Sequence, residues 1–84
     1  MIEIKVKINS TEEAINLVKE ADKIINDVDF TNGRVLVDAK SLLGVLATDF
    51  SQPCKLIILS DDLNSSINGF IDTIKNNIIS VEVK

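Results

Sequence analysis

The 84-residue chain contains no histidine, tryptophan or tyrosine, and it has one cysteine. Without histidine, a serine or cysteine nucleophile has no imidazole base, and a zinc site has neither an imidazole ligand nor a second thiolate. The lone Cys54 excludes an internal disulfide, and its place at the start of an apolar run favours a small buried side chain over a reactive thiol. These absences argue against an enzyme and indicate no metal and no cofactor.

Long apolar runs and basic clusters are also missing. No segment approaches the roughly 20 apolar residues that cross a bilayer, and the alternating start MIEIKVKI lacks the unbroken apolar region of a signal peptide. We therefore expect no membrane insertion and a cytoplasmic location. A net charge of −4 without any run of Lys or Arg argues against nucleic acid as a partner. The length predicts a single domain over residues 1–84.

The first third of the chain predicts a strand followed by a helix. Apolar residues alternate with charged ones in the pattern of a half-buried strand, at Ile2, Ile4, Val6 and Ile8. Ser10 and Glu13 fit a capping box that starts a helix. We expect that helix to reach Ile24 or Ile25, with an inward face of Ala14, Leu17, Val18, Ala21 and Ile25.

The remaining elements follow from turn signals. Two β-type runs, Asp27–Phe30 and Arg34–Ala39, flank an Asn-Gly pair, which predicts a tight hairpin because both residues tolerate positive φ. Ser41 is placed to cap a short helix ending near Asp49. The apolar run Cys54–Ser60 predicts a central strand. Asp61 and Asp62 are placed to cap a last helix, with the stripe Leu63, Ile67, Phe70, Ile71 and Ile74, ended by Asn76-Asn77.

The tail alternates apolar and polar residues, as a short added strand would. We expect Ile79, Val81 and Val83 to be buried by this strand, since three branched apolar side chains would otherwise lie in water. The order is thus βαββαβα with a tail, an α+β class with helices covering one face of a largely antiparallel sheet.

This order, the helix Ala14–Ala21 ahead of the Asn-Gly hairpin, and above all the segment Ala39–Leu46 resemble HPr, the small phosphocarrier of the bacterial sugar phosphotransferase system. The resemblance implies a two-layer open-faced sandwich: a four-stranded antiparallel sheet in the order 1-4-2-3 with three helices on one face. Ile78–Lys84 lies beyond the usual end of the family.

The resemblance also places the family's chemistry on this chain. The phosphoryl-accepting histidine at the start of the first long helix corresponds to Ser10, and Glu12 and Glu13 replace the arginine and proline that follow it. A helix N-terminus favours anions, but these two carboxylates would repel a phosphoryl group. The resemblance therefore implies no histidine phosphocarrier activity, and Ser10 is most simply a helix cap.

The segment after Lys40 carries the second family feature. Ser41 corresponds to the regulatory serine on which HPr kinase/phosphorylase acts, with Lys40 adjacent and Asp38 close by. Four apolar residues lie on more than one side of a helix of barely two turns: Leu42, Leu43, Val45 and Leu46. Burying one side should leave an apolar patch for a partner, and we expect Leu42, Leu43 and Leu46 to form it. For Ser41, capping alone is the other interpretation.

Two functional hypotheses follow. The first is a regulatory paralogue that binds other proteins, among them an HPr kinase/phosphorylase, a transcription regulator or sugar-system components. The second is an interaction or structural domain with an HPr-like fold unrelated to sugar transport, because a fold alone implies no function.

Overall fold

The computed structural model describes residues 1–84 as one antiparallel sheet with three α-helices. Its elements in chain order are β1 (Ile2–Val6), α1 (Thr11–Ala21), β2 (Val28–Thr31), β3 (Leu36–Asp38), α2 (Leu42–Ala47), β4 (Cys54–Ile58), α3 (Ser65–Thr73), a 3-10 turn (Lys75–Asn77) and β5 (Ile78–Val83). The strand order β3-β2-β4-β1-β5 confirms the predicted 1-4-2-3 arrangement and adds β5 beside β1. None of the helices has the length and apolar character needed to cross a bilayer.

A single cluster of 19 buried apolar residues joins the sheet to the helices. The sheet contributes alternate residues such as Ile4 and Phe30, and each helix contributes to the same cluster, including Leu17, Val45 and Ile67. The opposite face of the sheet carries charged residues, for example Glu3, Lys5 and Lys55. The helices therefore cover one face of the sheet, which is the α+β arrangement that the sequence predicted.

The end of α1 differs from the prediction. The helix stops at Ala21, and the next residues close tighter turns, with Lys23 N donating to Glu20 O and Ile24 N to Ala21 O. Because helical spacing no longer applies there, Ile24 is buried and Ile25 is 96% exposed. The expectation that Ile25 faces the core was wrong.

The hairpin also closes differently. Thr31 pairs with Leu36, so the connection spans the four positions between them. Gly33 adopts a φ of +93°, but Asn32 does not have positive φ. Its side-chain oxygen instead accepts from the backbone amides of Arg34 (2.9 Å) and Val35 (3.1 Å). Asn32 therefore stabilises the turn through its side chain, as Asn commonly does in turns.

The last helix starts later than predicted. Asn64, and not Asp61 or Asp62, is its N-cap, and its side-chain oxygen accepts from Ile67 N at 2.8 Å. The α-helix ends at Thr73, and a 3-10 turn continues to Asn77. Asn, Asp and Ser are all good caps, so composition alone could not decide among neighbouring candidates.

The tail forms the predicted strand, but not for the predicted reason. Of its apolar residues only Ile78 packs against the core, whereas Ile79, Val81 and Val83 are 53%, 39% and 53% exposed. The strand is held by antiparallel pairing with β1 and by the Lys84 ammonium, 3.2 Å from the Glu3 carboxylate. The expectation that these three side chains are buried was wrong.

The Glu3 carboxylate gives the sheet a measurable pH dependence. Hydrogen bonds from Lys55 and then Lys84 hold the pKa of Glu3 below its ordinary value of 4.5. A carboxyl with a lowered pKa stabilises the fold above the unfolded-state pKa, and this contribution is lost as the pH falls through the folded-state pKa.

We therefore expect Glu3→Gln to unfold at a lower urea concentration than the wild type at pH 7, with the difference shrinking as the pH falls below 4.5. Urea titrations at several pH values measure this. Asp61→Asn, which removes an exposed carboxylate outside the sheet, is the control. A Glu3→Gln deficit that is the same at every pH would contradict the prediction.

Candidate functional site

The N-terminus of α1 is the first candidate site. The Ser10 hydroxyl accepts from Glu13 N at 3.1 Å, and Ser10 O accepts from Ala14 N at 3.1 Å. Ser10 is thus the N-cap, as predicted. The Glu13 side chain reaches back as a capping box requires, but it accepts from Asn9 N at 2.9 Å instead of Ser10 N. Backbone amides at the helix start are therefore hydrogen-bonded to side chains of the same segment.

Glu13 has a second partner that sequence reasoning missed. Its Oε1 also accepts from Asn77 Nδ2 at 2.7 Å, and the same nitrogen donates to Lys7 O at 3.1 Å. The Asn9 amide first, and then the Asn77 amide, hold the pKa of Glu13 below its ordinary value. The carboxylate thus joins the start of α1 to the turn before β5. No local signal could have found this bond, since Glu13 and Asn77 lie far apart in the chain.

An open cleft of about 550 Å³ lies beside this helix start. Its lining is almost entirely polar: Ser10, Glu12, Glu13, Ile15, Asn16, Lys19 and Asn77. A phosphoryl group at the start of α1 would meet the negative charges of Glu12 and Glu13, which both lie in the first turn. The favourable field of this helix N-terminus is therefore offset by two carboxylates of the protein itself.

The N-terminus of α2 is built around Ser41. The Ser41 hydroxyl accepts from Gly44 N at 3.2 Å, and Ser41 N donates to Asp38 O at 2.9 Å. A Cβ on Gly44 would lie 3.2 Å from Ser41 Oγ and 3.4 Å from Val37 Cβ. Glycine at this position thus allows the serine, the strand before it and the helix to approach closely.

The leucines of α2 divide between core and surface. Val45 is fully buried and Leu46 packs partly against the core, whereas Leu42 is 40% and Leu43 81% exposed. Residues three and four apart are neighbours on a helix, so Leu42, Leu43 and Leu46 form one apolar surface, hereafter the leucine surface. The structure therefore brings the three predicted residues together.

Exposed apolar residues of the preceding hairpin were not singled out from the sequence. Val35 and Leu36 are exposed, and β3 contacts α2. The signal for Leu36 was present, because side chains alternate along a strand and Leu36 must face away from its neighbour Val37. Val35 lies before β3, in the hairpin connection. Val37 packs against the core.

Lys40 does not lie where a phosphate on Ser41 could use it. Its Nζ donates to Ile24 O, and its backbone N donates to Asp38 Oδ1 at 2.9 Å. The ammonium therefore ties the start of α2 to the segment after α1. Although Lys40 is adjacent to Ser41 in the sequence, its ammonium is therefore bonded elsewhere.

Cys54 belongs to the core, as predicted. It is buried, its Sγ donates to Gln52 O at 3.3 Å, and burial raises the pKa of the thiol. No group of three or more Cys, Asp or Glu side chains is arranged to hold a metal ion.

Comparison with known proteins identifies the fold. The crystal structure of HPr-C-His from Thermoanaerobacter tengcongensis is similar to this chain, with a TM-score of 0.71, 25% sequence identity, and coverage of 90% of this chain and 93% of that chain. No protein-family model and no curated protein matches the sequence. The chain therefore has an HPr-like fold.

We expect Glu13→Gln to lower the melting temperature more than Glu12→Gln, because only Glu13 bonds to Asn9 and Asn77. The Asn9 amide should also exchange its proton faster with solvent, since a neutral amide is a weaker acceptor than a carboxylate. Thermal unfolding and NMR hydrogen exchange measure the two effects. Equal melting temperatures for the two variants would contradict the prediction.

Proposed function

We propose that this protein is a non-enzymatic, regulatory member of the phosphotransferase-system protein group, which binds other proteins and does not carry phosphoryl groups on histidine. The observation that supports this best is the contrast between the two helix starts. At α1, Glu12 and Glu13 place two carboxylates in the first turn, where a phosphoryl group would meet their negative charge. At α2, an exposed serine lies beside leucines that the core leaves uncovered.

The leucine surface is the proposed docking site. Leu43 is 81% exposed on a helix of six residues, and Leu42 is exposed beside it. Burying apolar surface contributes about 25 cal/mol per Å², so covering both side chains would add favourable free energy to a complex. The fully buried Val45 and the partly buried Leu46 hold the helix against the core, which keeps this surface in place without a partner.

Ser41 is the proposed switch. Its side chain is exposed, and the hydroxyl accepts one hydrogen bond while donating none. Phosphorylation would add roughly −1.5 to −2 charges beside the leucine surface. Because Lys40 bonds to Ile24 O, it would not neutralise the phosphate. The new charge would thus act on the partner, by repelling an acidic surface or by recruiting an arginine.

The proposed partners are an HPr kinase/phosphorylase, a transcription regulator or sugar-system components. The second candidate is an interaction domain with the same fold that is unrelated to sugar transport. The lack of any matching family model favours it, since a close relative of the phosphocarriers would share their sequence pattern. Binding of sugar-system proteins discriminates between the two.

The first test concerns phosphoryl transfer. Incubation with phosphoenolpyruvate and enzyme I should produce no acid-labile phosphoprotein, because the chain has no histidine and Ser10 is a cap beside two carboxylates. Radiolabelled phosphoenolpyruvate, with a histidine-bearing HPr as the positive control, gives the readout. An acid-labile label on this protein would overturn this part of the proposal.

The second test concerns the leucine surface. Leu43→Glu should weaken binding to a sugar-system partner by roughly tenfold or more, the size expected when an apolar contact of about 1.4 kcal/mol is lost. Ile25→Glu is the matched control, because Ile25 is exposed but lies outside α2. Titration calorimetry measures both. Equal binding by the two variants would refute the docking site.

The third test concerns Ser41. An HPr kinase should label the wild type but not Ser41→Ala, and the labelled protein should keep its fold because the phosphate lies on an exposed cap. Mass spectrometry locates the phosphate, and circular dichroism follows the fold. Label at another residue would refute the switch. Comparing the circular dichroism of unlabelled Ser41→Ala with that of the wild type shows the effect of losing the cap hydrogen bond alone.

A further inference from the structure

No other element covers the outer edge of β5, and its regular pairing with β1 runs from Ser80 to Val83, after a register shift at Ile79. β5 is the last strand of the sheet, it is six residues long, and it contains no proline and no lysine. No helix or loop forms a strand-like ladder on its free side. Proteins usually blunt such an edge, because a row of free backbone groups is a template for another strand.

The direction of the free backbone groups follows from the pairing with β1. Met1 and Lys84 exchange both backbone bonds, with Met1 N donating to Lys84 O at 3.0 Å and Lys84 N to Met1 O at 2.7 Å. In an antiparallel ladder, hydrogen-bonded residue pairs alternate with pairs that are not hydrogen-bonded to each other. The backbone groups of Glu82 thus point towards β1, and those of Val81 and Val83 point to the outer edge.

Val81 and Val83 also have exposed apolar side chains. Val81 lies opposite Ile4 and Val83 opposite Ile2, so both point to the face that the helices cover. Ile2 and Ile4 are fully buried, whereas Val81 and Val83 are exposed. The edge therefore offers free hydrogen-bonding groups and uncovered apolar side chains at the same positions.

We propose that β5 pairs antiparallel with β5 of a second copy of this chain, about a two-fold axis at Val81. The two Val81 residues then exchange backbone bonds, and Ser80 of each copy lies opposite Glu82 of the other, within the part of β5 that pairs regularly with β1. A two-fold interface of this kind uses the same surface on both copies, and the two sheets become one. This surface is separate from the leucine surface.

Charges on the open face of the sheet fit this register. Lys55, Lys5 and Ser80 form one cross-strand row, and Glu3 and Glu82 lie in the next. With the axis at Val81, Ser80 faces Glu82 of the second copy. The basic row of each copy then continues into the acidic row of the other, and the Ser80 hydroxyl can donate to the facing carboxylate. Such complementarity favours a second copy over an unrelated strand.

Neighbouring registers are less favourable. An axis at Glu82 would place the two Glu82 carboxylates directly opposite each other in a close non-bonded pair, each beside its own Glu3. Like charges facing each other across strands are destabilising. An axis at Val83 would shorten the paired segment and leave Val81 uncovered. The Val81 register is therefore the one that satisfies backbone, apolar and charged groups together.

Sedimentation equilibrium over a range of concentrations tests the dimer. The 9.2 kDa chain should approach twice its mass as the concentration rises. Val81→Lys should raise the dissociation constant by roughly tenfold or more, because it puts like charges at the axis. Leu36→Lys makes the same kind of change on β3, at the opposite edge of the sheet, and should leave the dimer intact. Circular dichroism confirms that both variants fold.

Disulfide trapping tests the register. Ser80→Cys/Glu82→Cys should form an interchain disulfide with oxidised glutathione, since these positions face each other, whereas Glu82→Cys alone should link slowly. Cys54 is buried in both variants and does not compete. A monomer at every concentration, equal weakening by Val81→Lys and Leu36→Lys, or faster linking of Glu82→Cys alone would each overturn the proposal.

Discussion

The position of β1 between β4 and β5 is the constraint on which the rest of this fold depends. Its register with β4 pairs Ile4 with Leu56 and Val6 with Cys54, so buried residues of both strands share the face that the helices cover. A shift of one residue would turn Glu3 and Lys5 into the core and the isoleucines into water. The helices, the core and the charged open face all follow from this one alignment.

The two helix starts illustrate how one motif serves different ends. Both are capped by serine, with the hydroxyl accepting from the amide three residues on. At α1, the Glu13 carboxylate accepts from the Asn9 amide and from the Asn77 side chain of a distant turn, and Glu12 adds a second negative charge to the first turn. At α2, the Asp38 carboxylate likewise accepts from the amide before the capping serine, but the first turn holds no acidic residue, and Leu42 and Leu43 are exposed. The two helix starts therefore share a serine cap and differ in the charge of their first turns.

The two proposed interaction surfaces lie at different edges of the sheet. The leucine surface belongs to α2, which contacts β3 at one edge, and the pairing strand β5 forms the other edge. Joining two copies through β5 would therefore leave both leucine surfaces free, one towards each end of the combined sheet. A dimer of this shape could engage two copies of a partner, which would raise the overall affinity without any new contact.

Sequence periodicity determined the elements, their order, the serine caps and the buried face of β1, because each depends on residues close together in the chain. Only the tertiary structure decided the rest. Ile24 is buried in place of Ile25 because α1 ends before both residues. Two contacts between distant residues also depend on the fold: Asn77 Nδ2 donates to Glu13 Oε1, and Lys40 Nζ donates to Ile24 O. The valines of β5 stayed exposed because alternation predicts which residues share a face, but not whether a helix lies above that face.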